Sequence, residues 1–270
     1  MKKLITLLLT FTMILTCVAF LPSCNQTENK KTITVGYTDY APMNYKDENG
    51  NLVGFDTELA TKMFEELGYK LRFKLIEWDN KYSELSSGTI DCIWNGFTAN
   101  TADDDGIMRS EKVDFSYYYM TNAQCIVRKA TSEDISSTAG FEGKTVAYEN
   151  SSAAQGYIDK LTENVNKKGV ASQMDALLSV KAGTADFAVV DILLAKSIVG
   201  QGDYASLAIN EGIELEGEYY AVGFKKGSEL TKEINKLLIK YAESGYLMEL
   251  AEKYGLENDI ITSYGDQIQE

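Results

Sequence analysis

Three stretches of this sequence end an apolar run in groups suited to holding a small charged molecule. Cys92-Ile93-Trp94 breaks into Asn95, Gly96, Phe97 and Thr98, a change from apolar to hydrogen-bonding residues within one turn that puts polar groups at the C-terminal edge of a strand. In open α/β sheets ligands bind at that edge, because the strand ends fan apart there and leave a crevice. The same passage, residues 91–116, carries an arginine at Arg109. Further on, Phe187-Ala188-Val189-Val190 is a fully apolar strand that terminates in Asp191, a carboxylate at a second such edge. Between them, Glu149-Asn150-Ser151-Ser152-Ala153-Ala154 leads from a strand into a helix. With Ser152 as its N-cap, the free N–H groups of that helix start make a site for an anion, although plain capping accounts for Ser152 as well.

These edges need sheets and helices behind them. Residues 32–37 alternate apolar and polar side chains and predict a first strand, which ends in a turn, Gly36-Tyr37-Thr38-Asp39-Tyr40-Ala41-Pro42, presenting tyrosines. Asn49-Gly50 is a hairpin signal. A helix follows near Asp56, with Leu59, Ala60, Met63, Phe64 and Leu67 on one face, acidic Asp56 and Glu58 at its start and Gly68 just past its end. Leu71, Phe73 and Leu75 alternate as a second strand. Glu77-Trp78-Asp79-Asn80 then opens a short helix closing at Gly88, and the strand at 92–94 completes a βαβ unit. A weak internal echo appears downstream: Ser87-Gly88-Thr89-Ile90-Asp91 matches Ala182-Gly183-Thr184-Ala185-Asp186, each after a helical run and before an apolar strand. It predicts two lobes of related topology.

Residues 123–129 read as extended, 143–148 open the second lobe's own sheet, and 173–182 form a helix. A late strand at 218–224 precedes helices at 228–243 and 245–254. Two helices and a strand do not make a lobe alone, so they return to the first, and the chain crosses between lobes twice. The expected architecture is α/β, two βαβ-type lobes joined by two crossing strands with a ligand cleft between them. Lobe 1 spans 32–122 plus 218–270 and lobe 2 spans 123–217, with hinges near 123–128 and 214–220.

Composition narrows the chemistry. A chain of 270 residues, 44% hydrophobic and 24% charged, is long enough for two modest cores. Its 40 acidic against 26 basic residues give a formal net charge of -14, and no segment concentrates the Lys and Arg that neutralise phosphates, so nucleic acid is not an expected partner. The sequence contains no histidine. That removes the commonest general base and the commonest metal ligand, so no metal or cofactor is expected and hydrolytic readings weaken.

The N-terminus reads as a targeting device. Met1, Lys2 and Lys3 precede an apolar run, 4–21, diluted by threonines and lacking a basic flank after it; this is a signal peptide, 1–23, in preference to a membrane span. Leu21-Pro22-Ser23-Cys24 resembles the lipobox of bacterial lipoproteins, which implies lipidation at Cys24, with the polar residues up to 31 as a tether. Pro22 is less usual in that pattern. Cys92 and Cys125 are the remaining cysteines of the folded body, and two readings stay open for them: a disulfide, permitted outside the cell, or buried free thiols in apolar strands.

From about Thr32 to Gly255 the sequence resembles the solute-binding proteins of polar amino acid ABC importers, the type II periplasmic-binding family. The resemblance rests on six blocks in order: GYTDYAPM at 36–43, NGNLVGFDTELA at 49–60, SGTIDCIWNGFT at 87–98, RSEKVDFSYYY at 109–119, GKTVAYENSSA at 143–153 and AGTADFAVVD at 182–191. It implies a receptor that encloses a free amino acid. A zwitterion buried away from water needs a partner for each charge. By the resemblance, Arg109 grips the α-carboxylate with its planar fork, completed by Ser152 and the N–H of Ala153. Asp191 pairs with the α-ammonium, helped by the carbonyl of Gly96 and the hydroxyl of Thr98, with Asn95 beside them. Tyr40 and Trp78 cover the ligand's stem and side chain. The resemblance also implies a hinge motion, the two lobes closing on the ligand about the two crossing strands.

The sequence departs from the family pattern in one place. The family arginine usually comes about seven residues after the glycine matching Gly96, where this chain has Asp103, and the match to Arg109 needs an acidic insertion within 100–106. Arg109 is therefore either a ligand in the cleft or an exposed loop arginine. The function expected is an extracytoplasmic, lipid-anchored, monomeric receptor, not an enzyme, that delivers an amino acid to an ABC importer permease. The alternatives are a dehydratase-like enzyme on the same two-lobed scaffold, with Asp191 or Glu149 as acid or base, and a sensor acting through a partner.

Overall fold

A computed structural model of the chain describes residues 31–267. The signal peptide, the lipobox with Cys24 and most of the tether lie outside them. Strand β1 (Thr32–Tyr37) is buried from its second residue onward, as a strand covered on both faces must be. A small hairpin of β2 (Tyr45–Lys46) and β3 (Leu52–Val53) leads into helix α1 (Phe55–Glu66). Its predicted apolar face is the buried one: Leu59, Ala60, Met63 and Phe64 are all fully enclosed. The chain reverses at Gly68, in the left-handed region at φ 79°, and β4 (Lys70–Leu75) runs parallel to β1. After a 3₁₀ turn at Trp78–Asn80 and α2 (Lys81–Ser86), β5 (Cys92–Ile93) pairs with β1 on its other side, also in parallel.

The short helix α3 (Arg109–Lys112) and β6 (Asp114–Phe115) precede β7 (Met120–Lys129), a long strand of ten residues. The second lobe is then built from β8 (Thr145–Glu149), α4 (Ala153–Asp159), β9 (Asn166–Val170), α5 (Gln173–Ala182), β10 (Phe187–Asp191), α6 (Ile192–Ile198) and β11 (Leu207–Ile209). The chain returns through β12 (Gly217–Tyr220) and β13 (Gly223–Phe224) and finishes with α7 (Glu229–Glu243) and α8 (Tyr246–Tyr254). The first sheet has the order β4-β1-β5-β13-β6 and the second β11-β7-β10-β8-β9.

Strand β7 serves both lobes. Its first residues pair antiparallel with β12, Met120 with Tyr220 through to Ala123 with Gly217, while Gln124 to Lys129 pair with β10 and β11 in the second sheet. β7 and β12 are thus the two crossing strands. The single late strand expected at 218–224 is broken at 221–222, because its halves have different partners: β12 follows β7, whereas β13 turns into the first sheet between β5 and β6. Gly223 permits that turn, since a Cβ there would stand 2.8 Å from the Phe97 ring. The last two helices do return to the first lobe, tied to α1 by Lys240 to Glu66 at 2.6 Å and Lys253 to Glu58 at 2.6 Å.

The internal echo is a structural repeat. Asp91 donates its N–H to the Thr34 carbonyl at 2.8 Å and accepts the Thr34 N–H on its carboxylate at 2.8 Å. Asp186 makes the same reciprocal pair with Thr145, at 2.8 and 2.9 Å. In each lobe the Gly-Thr-x-Asp sequence ends a helix and joins the incoming strand beside the lobe's first strand. Cys92 and Cys125 are free and buried, and burial pushes both thiols above their ordinary range. Among the described residues no helix is long and apolar enough to cross a membrane.

Candidate functional site

The C-terminal ends of β5, β8 and β10 face one another across the two lobes and line a small cavity between them. Of the nine residues singled out in the sequence, eight line it. The first lobe contributes Trp78, Asn95, Gly96, Thr98 and Arg109, and the second Ser152, Ala153 and Asp191. Tyr40 is not in the lining. Its ring is buried behind Gly96, edge-on to Tyr220, and the two hydroxyls share a hydrogen bond of 2.6 Å.

Asp191 ends β10 opposite Gln124 of β7 and is held from three sides. Its Oδ1 accepts from Asn122 Nδ2 at 2.7 Å and Gln124 Nε2 at 2.6 Å, and its Oδ2 accepts from Gln173 Nε2 at 2.5 Å. The same two amides also reach Glu218 on β12: Asn122 Nδ2 and Gln124 Nε2 donate to its Oε2 at 2.9 and 3.0 Å. Two amides of crossing strand β7 therefore bridge two buried carboxylates, Asp191 at the end of β10 and Glu218 on crossing strand β12. Burial raises both, and the Asp191 charge adds to the rise at Glu218, which reaches about 7. Two like charges this close are stabilised by an added cation. Thr98 donates its hydroxyl to Glu218 at 3.1 Å, which leaves the oxygen's lone pairs free to accept.

Arg109 is 1% exposed, so the loop-arginine reading is excluded. Its Nε donates to Asp103 Oδ1 at 2.8 Å, its Nη1 to the Thr98 carbonyl at 3.1 Å and its Nη2 to the Ser151 carbonyl at 3.3 Å. Three of five N–H groups are committed and one on each terminal nitrogen remains. The acidic insertion supplies the clamp. Asp103 is buried with Arg109 on one oxygen and Lys112, at 2.8 Å, on the other, while Asp105 takes a second hydrogen bond from Lys112 at 2.8 Å. Burial alone would raise Asp103, but the Arg109 charge and the Lys112 hydrogen bond outweigh it and hold the carboxyl below its ordinary value. Asp104 faces solvent.

Ser152 is the N-cap of α4, accepting from Gln155 N–H at 3.3 Å; its hydroxyl hydrogen and the first helical N–H groups stay available. The residue before it makes several contacts between the lobes. Ser151 stands at φ 55°, in a left-handed conformation uncommon for a serine. Its carbonyl accepts from both Arg109 and Lys81, the latter at 2.9 Å, and its hydroxyl bonds Asp79. Lys81 is 1% exposed, and it also donates to the Trp78 carbonyl at 3.3 Å. Burial, with the Arg109 charge, lowers its ammonium to about 7.

Known proteins share this architecture. Residues 33–257 match the family model of bacterial extracellular solute-binding proteins, family 3. The chain belongs to this family. It is 30% identical over 233 residues to the L-cystine-binding protein TcyA of Bacillus subtilis (strain 168), covering 84% of this chain and 82% of that one. It is 29% identical over 263 residues to the arginine-binding extracellular protein ArtP of the same organism, covering 94% and 98%. Among solved structures, an ancestral arginine-binding protein bound to arginine superposes with a TM-score of 0.75 at 32% identity, covering 83% of this chain and 98% of the other. The ancestral amino acid-binding protein AncCDT-1, a precursor of cyclohexadienyl dehydratase, does so at 0.73 and 27%, covering 83% and 95%. The two-lobed α/β fold is the type II periplasmic-binding fold that the six sequence blocks implied.

In this family 3 solute-binding protein, two of the predicted residues also make bonds within their own lobe. Asn95 spends its side chain on the loop before α1, donating to the Thr38 carbonyl at 2.9 Å and Asn44 Oδ1 at 2.8 Å and accepting from the Thr38 hydroxyl at 2.6 Å. Gly96, at φ 55°, donates its N–H to the buried Asp56 at 2.8 Å, and a Cβ would meet the Tyr40 ring at 2.5 Å. Thr38, Gln124 and Gln173 also line the cavity, though sequence reasoning did not assign them there, and so does Glu149, which the sequence offered as a cleft carboxylate only for the enzyme alternative. Gln124 and Gln173 were hidden by context, as one polar residue in an extended run and one at a helix start. Glu149 carried a usable signal: a carboxylate that closes the apolar strand Thr145–Glu149 at the same edge as Asp191.

Proposed function

We propose that this protein captures a free amino acid outside the cytoplasm by closing its lobes around it and delivers the ligand to an ABC importer permease. One observation carries the reading. In a single cavity, unspent N–H groups of Arg109 and the start of α4 at Ser152 and Ala153 provide an anion site, and the Asp191 carboxylate, backed by Glu218 through shared amides, borders a cation site. An α-amino acid presents those two charges on groups attached to one carbon, and both must be met when water is excluded. The names of TcyA and ArtP, an L-cystine-binding and an arginine-binding protein, support the same reading. Closure takes place about β7 and β12, with lobe 1 at 32–122 plus 218–270 and lobe 2 at 123–217. The receptor works as a monomer, held to the membrane through a lipidated Cys24 after removal of the signal peptide, and catalyses no reaction on its ligand.

A second reading, a dehydratase, draws support from the likeness to AncCDT-1 and from cleft carboxyls raised into the neutral range, Glu218 to about 7 and Glu149 to about 8. Thermal unfolding of ligand-stripped protein against the common amino acids separates the two. Ligand at about 100 times Kd adds about 2.7 kcal/mol, or about 5–11 °C for a chain of this size. No shift with any amino acid overturns the receptor reading, and conversion of a bound ligand, followed by NMR, establishes the enzyme.

A further inference from the structure

The zwitterion leaves one wall group of the cavity unused. Glu149 is 3% exposed, lines the cavity, and its Oε1 has no hydrogen-bond partner. A buried polar atom without a partner is costly, and a carboxylate most of all. The nearby cations do not serve it. Lys81 is spent on the carbonyls of Ser151 and Trp78, and Arg109 on Asp103, Thr98 and Ser151. Asp191, the other acid of the lining, already has three amide donors.

We propose that Glu149 receives the head of the ligand's side chain, and that the ligand is an amino acid whose side chain is cationic, a guanidinium or an ammonium. This rests on the amino acid reading of the cavity. The balance of charges favours it: the α-carboxylate takes Arg109 and the α-ammonium takes Asp191, leaving one carboxyl in the wall for one further positive charge. A guanidinium meets a carboxylate through two parallel N–H···O bonds, and Trp78 supplies an aromatic ring in the same lining for a cation's flat face. A neutral side chain leaves Glu149 protonated and its pocket poorly matched.

The surroundings of Glu149 support a proton linkage as well. Burial, then the Asp191 charge and further off Asp175, push Glu149 up to about 8, against the lowering effect of Lys81 and Arg109. At neutral pH the carboxyl of the ligand-free protein therefore holds its proton, and a bound cation displaces it to solvent, O–H breaking as the ion pair forms. Asp191, in the same lining, and Glu218, bridged to it by Asn122 and Gln124, are raised too and release part of their protons to solvent when the α-ammonium binds, so the contribution of Glu149 is the difference between wild type and Glu149→Gln.

The experiment is titration calorimetry of the ligand-stripped protein with arginine, lysine, citrulline, glutamine and cystine at pH 7, in two buffers of different ionisation enthalpy. Arginine or lysine is expected to bind at least about 10-fold more tightly than citrulline, which keeps the zwitterion and the shape but not the charge. Glu149→Gln is expected to weaken the cationic ligand by about 10- to 100-fold, the range of a charge-assisted bond, to reduce the protons released, and to leave citrulline and glutamine nearly unchanged, which also shows that the variant is folded. A neutral amino acid bound more tightly than either cation, or arginine affinity unmoved in Glu149→Gln, overturns the inference and leaves the receptor reading intact. Failure of every amino acid to bind overturns both.

Discussion

Removing Asp103 separates the clamp on Arg109 from Arg109 itself. In Asp103→Ala the guanidinium keeps its bonds to the carbonyls of Thr98 and Ser151 but loses the 2.8 Å contact at Nε, and Lys112 loses one of its two carboxylates. Both Asp103 and Arg109 are almost entirely buried, with side-chain exposures of 2% and 1%, so solvent cannot replace the missing partner. Deleting one member of such a pair costs about 3–5 kcal/mol, most of it from the charge left behind. For a chain of this size the unfolding midpoint is expected to fall by about 6–20 °C. Asp103→Asn keeps an acceptor and is expected to lose less. The double variant Asp103→Ala with Arg109→Met is expected to recover much of the loss, because no uncompensated charge remains. Calorimetric unfolding measures the first effect, and ligand affinity of the surviving fold the second, since a guanidinium without its anchor holds the α-carboxylate less well. An Asp103→Ala protein with an unchanged midpoint refutes the clamp. Affinity unchanged despite a lowered midpoint refutes its link to the ligand.

Two further outcomes follow from buried groups. Lys81→Met removes a bond of 2.9 Å that spans the lobes without touching a carboxylate, so ligand is expected to dissociate about 10-fold faster, in stopped flow, while ligand-free stability holds or rises because a buried charge is gone; an unchanged dissociation rate refutes the cross-lobe role. Asp56 and Glu218 are raised to about 7 and Glu149 to about 8, chiefly by burial. Between about pH 4 and 8 the folded chain then holds more protons than the unfolded one, and stability falls as pH rises through that window. Lys81, lowered to about 7, makes the unfolded chain the better proton binder above that, so stability recovers toward about pH 10. Below about pH 4 the Asp103 carboxyl, held low in the fold, reverses the slope once more. Thermal unfolding of ligand-free protein is expected to peak near about pH 4 and dip near about pH 8, and a midpoint climbing steadily across that range refutes it.

Much of the fold was legible because the signals were local. A helix such as α1 shows its buried face every three to four residues, and the Gly-Thr-x-Asp echo marks the same backbone junction twice, with the aspartate bonding Thr34 in one lobe and Thr145 in the other. What was not legible depended on pairing between distant segments. Residues 218–224 read as one apolar strand, yet Tyr220 belongs beside Met120 and Gly223 beside Ile93, a change of partner that leaves no mark in the local pattern. The two cysteines were undecided for the same reason: alternation said they were buried, and only the strand positions say that they are unpaired.

The site divides along the same line. Residues at strand ends and at a helix cap, Thr98, Ser152 and Asp191, sit where a boundary in hydrophobicity placed them. Glu218 did not announce itself, being one acid in a chain rich in acids, and it enters the site because Asn122, its partner in the strand pairing, reaches Asp191 as well. Position within a motif also said nothing about whether a side chain was free: Asn95 and Tyr40 stand in matching blocks, yet one is bonded to Thr38 and Asn44 on the loop before α1 and the other is hydrogen-bonded behind Gly96. The acidic insertion shows the opposite case. Spacing set Asp103 where an arginine was looked for, and the fold turns the loop so that Asp103 holds Arg109 by its Nε, with Arg109 in the cavity lining. An insertion that displaces an arginine along the sequence need not expel it from the cleft when the inserted segment carries the carboxylate that anchors it.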